Sequence, residues 1–261
     1  MIAFEDRLSD SSLVERVWAA YSEGAGEFAS VAASHWEMAI TRYRGQTFLT
    51  VRGPETRATT ADCPSDGEWL GIRFKLGTFM PWLPPALLRD RRDVTLPGAV
   101  TRKFWLAGSV WEYPTFENAE TFVARLSTRG LIARDPIVDA VISGERHLIS
   151  RRSVQRRFAR ATGITHATYR TIERARYATT LLRQGVPIID VVQHAGYFDQ
   201  PHLARSLKRL IGQSPSEVAR HTRQLSFLYK TVDRSLVDTL ESRGGAANDG
   251  RCSERGITRH G

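Results

Sequence analysis

The sequence predicts an α+β protein. A β-rich mixed N-terminal domain occupies residues 1–134, and an all-α domain occupies 135–230. Three observations carry this. In "EWLGIRFKLG" (68–77) apolar residues recur at every second position, the spacing of a strand with one face in a core. From residue 135 onward the period becomes helical, with glycines at 144, 163, 185, 196 and 212 closing each segment. And one short basic helix occurs twice. Setting Gly163 on Gly212, an offset of 49 residues, places Arg156 on Arg205, Arg160 on Arg209, Val154 on Leu203 and Phe158 on Leu207.

In the first half, "ERVWAAYSE" (15–23) fits a short helix or an opening strand. "WEMAITRY" and "TFLTVRG" are β-favouring runs separated by "RGQ", which predicts a hairpin. In "EWLGIRFKLG", Ile72, Phe74 and Leu76 take the buried face, with Arg73 and Lys75 between them. "FMPWLPPALLRD" is broken by proline and leads into a short helix; "VTLPGAV" reads as a strand and turn. "FENAETFVARLSTRGL" reads as a helix with Phe116, Ala119, Phe122, Val123 and Leu126 on one face.

In the second half, Asp135 and Pro136 open a helix that stops at Gly144. Ser150 caps "RRSVQRRFARAT". A longer helix in "TYRTIERARYATTLLRQG" carries an apolar stripe of Ile172, Ala175, Ala178 and Leu182. Pro187 opens "PIIDVVQHAG", Gly196 begins a turn, and Asp199 caps "QPHLARSLKRLIG". "SPSEVARHTRQLSFLYK" reads as one or two further helices. Residues 242–261 are Gly-rich and polar and read as a disordered tail.

Charge is distributed unevenly. The net charge is +9, yet residues 145–225 alone carry 15 Lys/Arg against 5 Asp/Glu. Such asymmetry suggests a polyanion-binding module beside a near-neutral one. Of the 37 basic residues, 33 are Arg, whose fork pairs with phosphate and guanine in a way Lys cannot. With no apolar run approaching ~18 residues, no membrane span is expected. The N-terminus lacks the basic and apolar regions of a signal peptide. Cys63 and Cys252, the only cysteines, make no disulfide framework. Together these features predict a cytoplasmic location.

The two basic helices define the chemistry. A supporting segment, a turn with glycine and a capped basic helix make a helix-turn-helix, whose second helix enters the major groove N-terminus first. The first such helix exposes Arg152, Gln155, Arg156 and Arg160 and buries Val154 and Phe158. The second presents Gln200, Pro201, Ala204, Arg205 and Lys208 and turns Leu203, Leu207 and Leu210 inward. Arg and Gln read guanine and adenine edges with paired hydrogen bonds. Arg174 and Arg176, on the joining helix, are expected to matter less to binding. Phe158 and Leu207 are expected to anchor their units, and Leu207 the more strongly because Leu210 shares its core.

At these residues the sequence resembles the AraC/XylS family of bacterial transcription regulators, most clearly in "GYFDQPHLARSLKRLIGQSPSEVAR" and across about 145–222. The resemblance implies two helix-turn-helix units bridged by a linker helix. It implies base-facing positions at Arg152, Gln155 and Arg156 in the first unit and at Gln200, Pro201, His202 and Arg205 in the second. Two departures stand out. The first unit's bracing segment, "DPIVDAVISGERHLIS", is short and interrupted by glycine, and Pro201 and Ala204 have no side chain that hydrogen-bonds a base. "GIRFKLGTFMPWL" followed by "LLRD" resembles, more loosely, a sensor domain of this family. That implies a small-molecule effector, a homodimer or both, and promoter DNA and RNA polymerase as partners.

No catalytic, cofactor or metal site is expected. His35 and Glu37 in "SHWEM" do not make a metal pair, and the histidines lack metal spacing. "TVRGPETRATT" lacks the lysine and second glycine of a phosphate loop. "LAGSVW" lacks the glycine of a nucleophile elbow. Trp36, Trp69, Phe74, Phe79, Trp82, Trp105 and Trp111 read as core, or in part as the wall of an apolar pocket. The function expected is therefore a sequence-specific DNA-binding regulator, not an enzyme. The alternatives are an enzyme with a catalytic N-terminal domain tethered to DNA by its C-terminal one, and a non-specific architectural binder.

Overall fold

The computed structural model describes residues 2–90, 94–98, 102–145, 149–221 and 225. The N-terminal part contains β1 (Ile2–Leu8), β2 (Val14–Ser22), β3 (Gly26–Ser30), β4 (Glu37–Tyr43), β5 (Gln46–Arg52), β6 (Thr59–Cys63), β7 (Glu68–Phe74), β8 (Thr78–Phe79), α1 (Pro85–Leu88), β9 (Val94–Thr95), β10 (Lys103–Leu106), β11 (Ser109–Glu112), α2 (Ala119–Thr128) and β12 (Ala133–Arg134). The helical part contains α3 (Ile137–Ser143), α4 (Arg151–Thr162), α5 (His166–Arg183), α6 (Ile188–His194), α7 (Gln200–Leu210) and α8 (Pro215–Ala219). An α+β chain with its strands first and its helices last is what the periodicities predict.

Six strands form one antiparallel sheet in the order β1-β2-β7-β4-β5-β9. "ERVWAAYSE" resolves as strand β2, because Val14, Val17 and Trp18 bury themselves in a sheet flanked by β1 and β7. The β4–β5 hairpin turns at Arg44 and Gly45, with φ of 49° and 74°. Two successive positive φ values make the tight turn whose twist matches its strands. Against the sheet, α2 packs Phe122, Val123 and Leu126 into a core with Met38, Leu49, Ile72 and Phe74.

Two expectations need correction. Arg73, placed by alternation opposite the buried face of β7, is only 2% exposed. β7 lies inside the sheet with both faces covered, so a period of two does not mark a solvent side there. And Trp82 and Trp105 lie at the surface while Trp36, Phe74 and Trp111 are buried.

The second core belongs to the helices. It joins Phe158 of α4, Ile172, Ala175, Ala178 and Leu182 of α5, Val191 and Val192 of α6, and Leu203, Leu207 and Leu210 of α7. Ala29, Val31 and Ala32 from the N-terminal part complete it. The backbone seals the same seam: the N–H groups of Ala32 and Ala58 donate to the carbonyls of Leu210 and Arg209 at 2.7 and 2.8 Å. These carbonyls end α7, where no partner exists within the helix. The tail expectation, and most of the helix expected beyond Arg220, fall on residues outside those described.

Candidate nucleic-acid interface

Each basic helix has a local reason to begin and end where it does. α4 starts at Ser150, whose hydroxyl accepts from the Ser153 N–H, and stops at Gly163 with φ 76°. A β-carbon on Gly163 would lie 2.7 Å from the Pro85 carbonyl carbon, so both backbone angle and close packing call for glycine. α7 starts at Asp199, whose carboxylate accepts from the His202 N–H at 2.6 Å. Pro201 sits in the first turn, where its missing N–H costs nothing.

One face of each helix is buried and the other is open. Phe158 and Leu207 are buried, as are Leu203 and Leu210, while Val154 is half-buried. Arg152, Gln155 and Arg156 stand exposed on α4, and Gln200, Pro201 and Arg205 on α7. Among the described residues no ion pair engages Arg152, Arg156 or Arg205, so their guanidiniums face solvent.

His202 differs from the other predicted positions. It is half-buried, its ring meets Tyr197 edge to face at 5.1 Å, and its Nδ1 lies 3.5 Å from the Phe198 N–H. Part of this side chain is spent on the turn. The Tyr197 hydroxyl bonds Ser206 at 3.0 Å and the Arg174 guanidinium covers its ring, while burial pushes the phenol pKa up. Arg160 is exposed, as the sequence predicts, and lies 3.6 Å from Asp135 and over the Phe79 ring.

Three features escaped sequence reasoning. Phe198, to which the sequence assigns no role, is 90% exposed at the tip of the turn before α7. Asp135 is buried and accepts from Arg157 at 2.5 and 3.0 Å, joining the start of α3 to the middle of α4. Arg176, expected only to matter less to binding, is buried 3.6 Å from Glu173, and Glu173 takes a 2.7 Å bond from Ser34. The clue to the last pair was available: Glu173 and Arg176 are spaced three apart on the stripe side of α5.

α5 joins the two units. With 18 residues it is about 27 Å long, a rigid spacer on the scale of one DNA turn. Among the described residues there is no cluster of three potential metal ligands, and no helix is long and apolar enough to cross a membrane.

A family described as a helix-turn-helix domain matches residues 145–221, the span from just before α4 to just past α8. The bracing helix α3 lies ahead of the matched residues. No curated protein and no solved structure matches the chain.

Proposed function

We propose that this chain is a sequence-specific DNA-binding transcription regulator of the AraC/XylS type. α4 and α7 enter successive major grooves on one face of the duplex, ~34 Å apart. The observation that carries this reading is a pair of capped basic helices, each with a buried apolar face and an open Arg/Gln face, held on one linker helix. Arg152, Gln155 and Arg156, with Gln200 and Arg205, read base edges. His202 contributes a ring edge, and Pro201 shapes the start of α7. Neighbouring arginines and backbone N–H groups hold phosphates. The N-terminal unit acts without catalysis, as a sensor for a small effector and as a surface for a homodimer. The regulator works in the cytoplasm at promoters, beside RNA polymerase.

The test compares binding to genomic promoter fragments and to random DNA at matched salt. A specificity ratio of about 10³ or more is expected, and a ratio near one would leave a non-specific architectural binder.

A further inference from the structure

The β4–β5 and β3–β6 ladders belong to one long hairpin. Tyr43 pairs with Gln46 and Glu37 with Arg52 in the first, Ser30 with Thr59 and Gly26 with Cys63 in the second, all in a single register. Between the ladders, at 31–36 and 53–58, the hairpin bends. Among the described residues only Ala33 and Glu55 bridge the bend, each N–H donating to the other's carbonyl at 2.9 Å.

Backbone groups that leave a ladder need other partners. Several find them around the two basic helices. The Ala32 and Ala58 N–H groups donate to the Leu210 and Arg209 carbonyls at the end of α7. Ser34, in the same bend, donates to Glu173 of α5. On the other strand, the Pro54 carbonyl accepts from the Asp90 N–H at 3.1 Å. The Asp90 carboxylate accepts from the Thr56 N–H and hydroxyl at 2.6 and 2.8 Å. A β-carbon on Gly53 would lie 2.3 Å from that of Leu88, so α1 sits directly on the bend. α1 in turn meets the end of α4, where Gly163 packs against Pro85. One bend therefore holds the C-terminal ends of both basic helices, α7 directly and α4 through α1.

We infer that this bend sets the angle between α4 and α7, and with it the half-site spacing that the two helices can read together. Ala58 and Asp90 are its positioning residues. A helix packed on α5 along one face can rock about that contact; a second contact at its end stops the rocking. The inference rests on the regulator reading above. One base pair added between half-sites moves the second by about 3.4 Å and turns it by about 34°. Locked readers cannot follow and lose the gain from engaging both sites, whereas readers joined by α5 alone can follow.

The test uses the full chain in two measurements. Without DNA, nitroxide labels on Arg151→Cys and Lys208→Cys report the distance between α4 and α7. Cys63 is buried, and Cys252→Ser removes the other thiol. One narrow distance distribution is expected. Ala58→Pro deletes the N–H that holds Arg209. Asp90→Gly deletes both Thr56 bonds and accepts the φ of 53° at that position. Each should broaden or shift the distribution, while Ala58→Gly and Asp90→Asn, which keep the contacts, should match the wild type. Asp90 is exposed, so Asp90→Gly decides alone if Ala58→Pro does not fold.

The second measurement uses promoter DNA with one base pair added or removed between the half-sites. The wild type should bind it at least about tenfold more weakly, and the two variants less than about threefold, with binding to a single half-site unchanged. An unchanged distance distribution in either folded variant, or a variant that keeps the wild-type preference for one spacing, overturns the inference. Broadened distributions in a protein that binds no promoter specifically would sink the regulator reading and leave the bend standing.

Discussion

The two helix-turn-helix units share a plan and are fastened differently. Both use a seven-residue bracing helix, α3 or α6, and a serine or aspartate cap on the basic helix. The first unit is tied by charge: Asp135 clamps Arg157 and Arg160, and α4 meets α1 through glycine-tight packing at Gly163. The second is tied by apolar and backbone contacts: Leu203, Leu207 and Leu210 inside, Tyr197 under Arg174, and the α7 carbonyls held by Ala32 and Ala58. The difference teaches that one repeated pattern, with an apolar anchor buried in both copies, can be fastened further by an ion pair in one and by backbone contacts in the other. Acid and cavity mutations should therefore separate the units.

The largest effects are expected from the anchors. Phe158→Ala removes a ring packed edge to face on His166 and Tyr169 and should cost about 3–5 kcal/mol. Leu207→Ala should cost about 2–5 kcal/mol. Both side chains are fully buried in one core, and the order expected from sequence, Leu207→Ala the more damaging, is the outcome to be tested. Thermal melts of both variants check the order. Melting like the wild type with loss of DNA binding would place either residue on the DNA face.

Asp135→Asn comes next. Burial alone would raise this carboxyl, but the Arg157 fork, the Ile137 N–H and the Arg160 charge outweigh it and hold the pKa below the usual aspartate range. A depressed folded pKa contributes stability above the unfolded value that is lost as pH falls through the folded one. Glu120 behaves alike in the N-terminal unit, where the Arg7 hydrogen bond holds it at about 2. Acid titration of the wild type should therefore weaken the first helix-turn-helix unit and the β-rich part before the second unit. Asp135→Asn should cost about 1–3 kcal/mol at neutral pH and flatten the acid response of the first unit alone. Equal acid loss in both units would break the contrast drawn between them.

Arg156→Ala and Arg205→Ala test symmetry of readout. Each should weaken specific binding by about 1–3 kcal/mol, with smaller losses on random DNA. Equal losses on both DNAs would demote that arginine to a phosphate contact. Arg174→Ala serves as a contrast: its effect should come through the loosened Tyr197 turn and appear in the melt as well as in binding.

Much of this was legible in the sequence because the helical half obeys local rules. Ser150 and Asp199 cap where the sequence predicts, and glycines follow the helix ends. What was hidden depends on contacts far apart in the chain. Arg73 looked exposed because alternation assumes one open face, and its neighbours β2 and β4 are not local to it. His35 is buried against Arg73, a partner 38 residues away. The α7 carbonyls are capped from residues 32 and 58, which no helix-end pattern near residue 210 announces.

The smallest stability effect, and the sharpest test of the second unit, belongs to Phe198. Its ring is 90% exposed, so Phe198→Ala should leave the melting temperature unchanged within the usual surface range of about 0.5 kcal/mol. If α7 enters the major groove as proposed, a large apolar ring held in water just before its cap would meet a thymine methyl group or a sugar. Burying part of that ring on DNA would contribute about 1 kcal/mol. The first unit has Ile149 before its cap, 39% exposed and smaller, so the contribution is expected from the second reader. The expected outcome is an unaltered melt with binding about fivefold weaker, greatest on sites with thymine at the second half-site. An unaltered melt with unaltered binding would place Phe198 away from the duplex and shift the burden of reading there to Gln200 and Arg205.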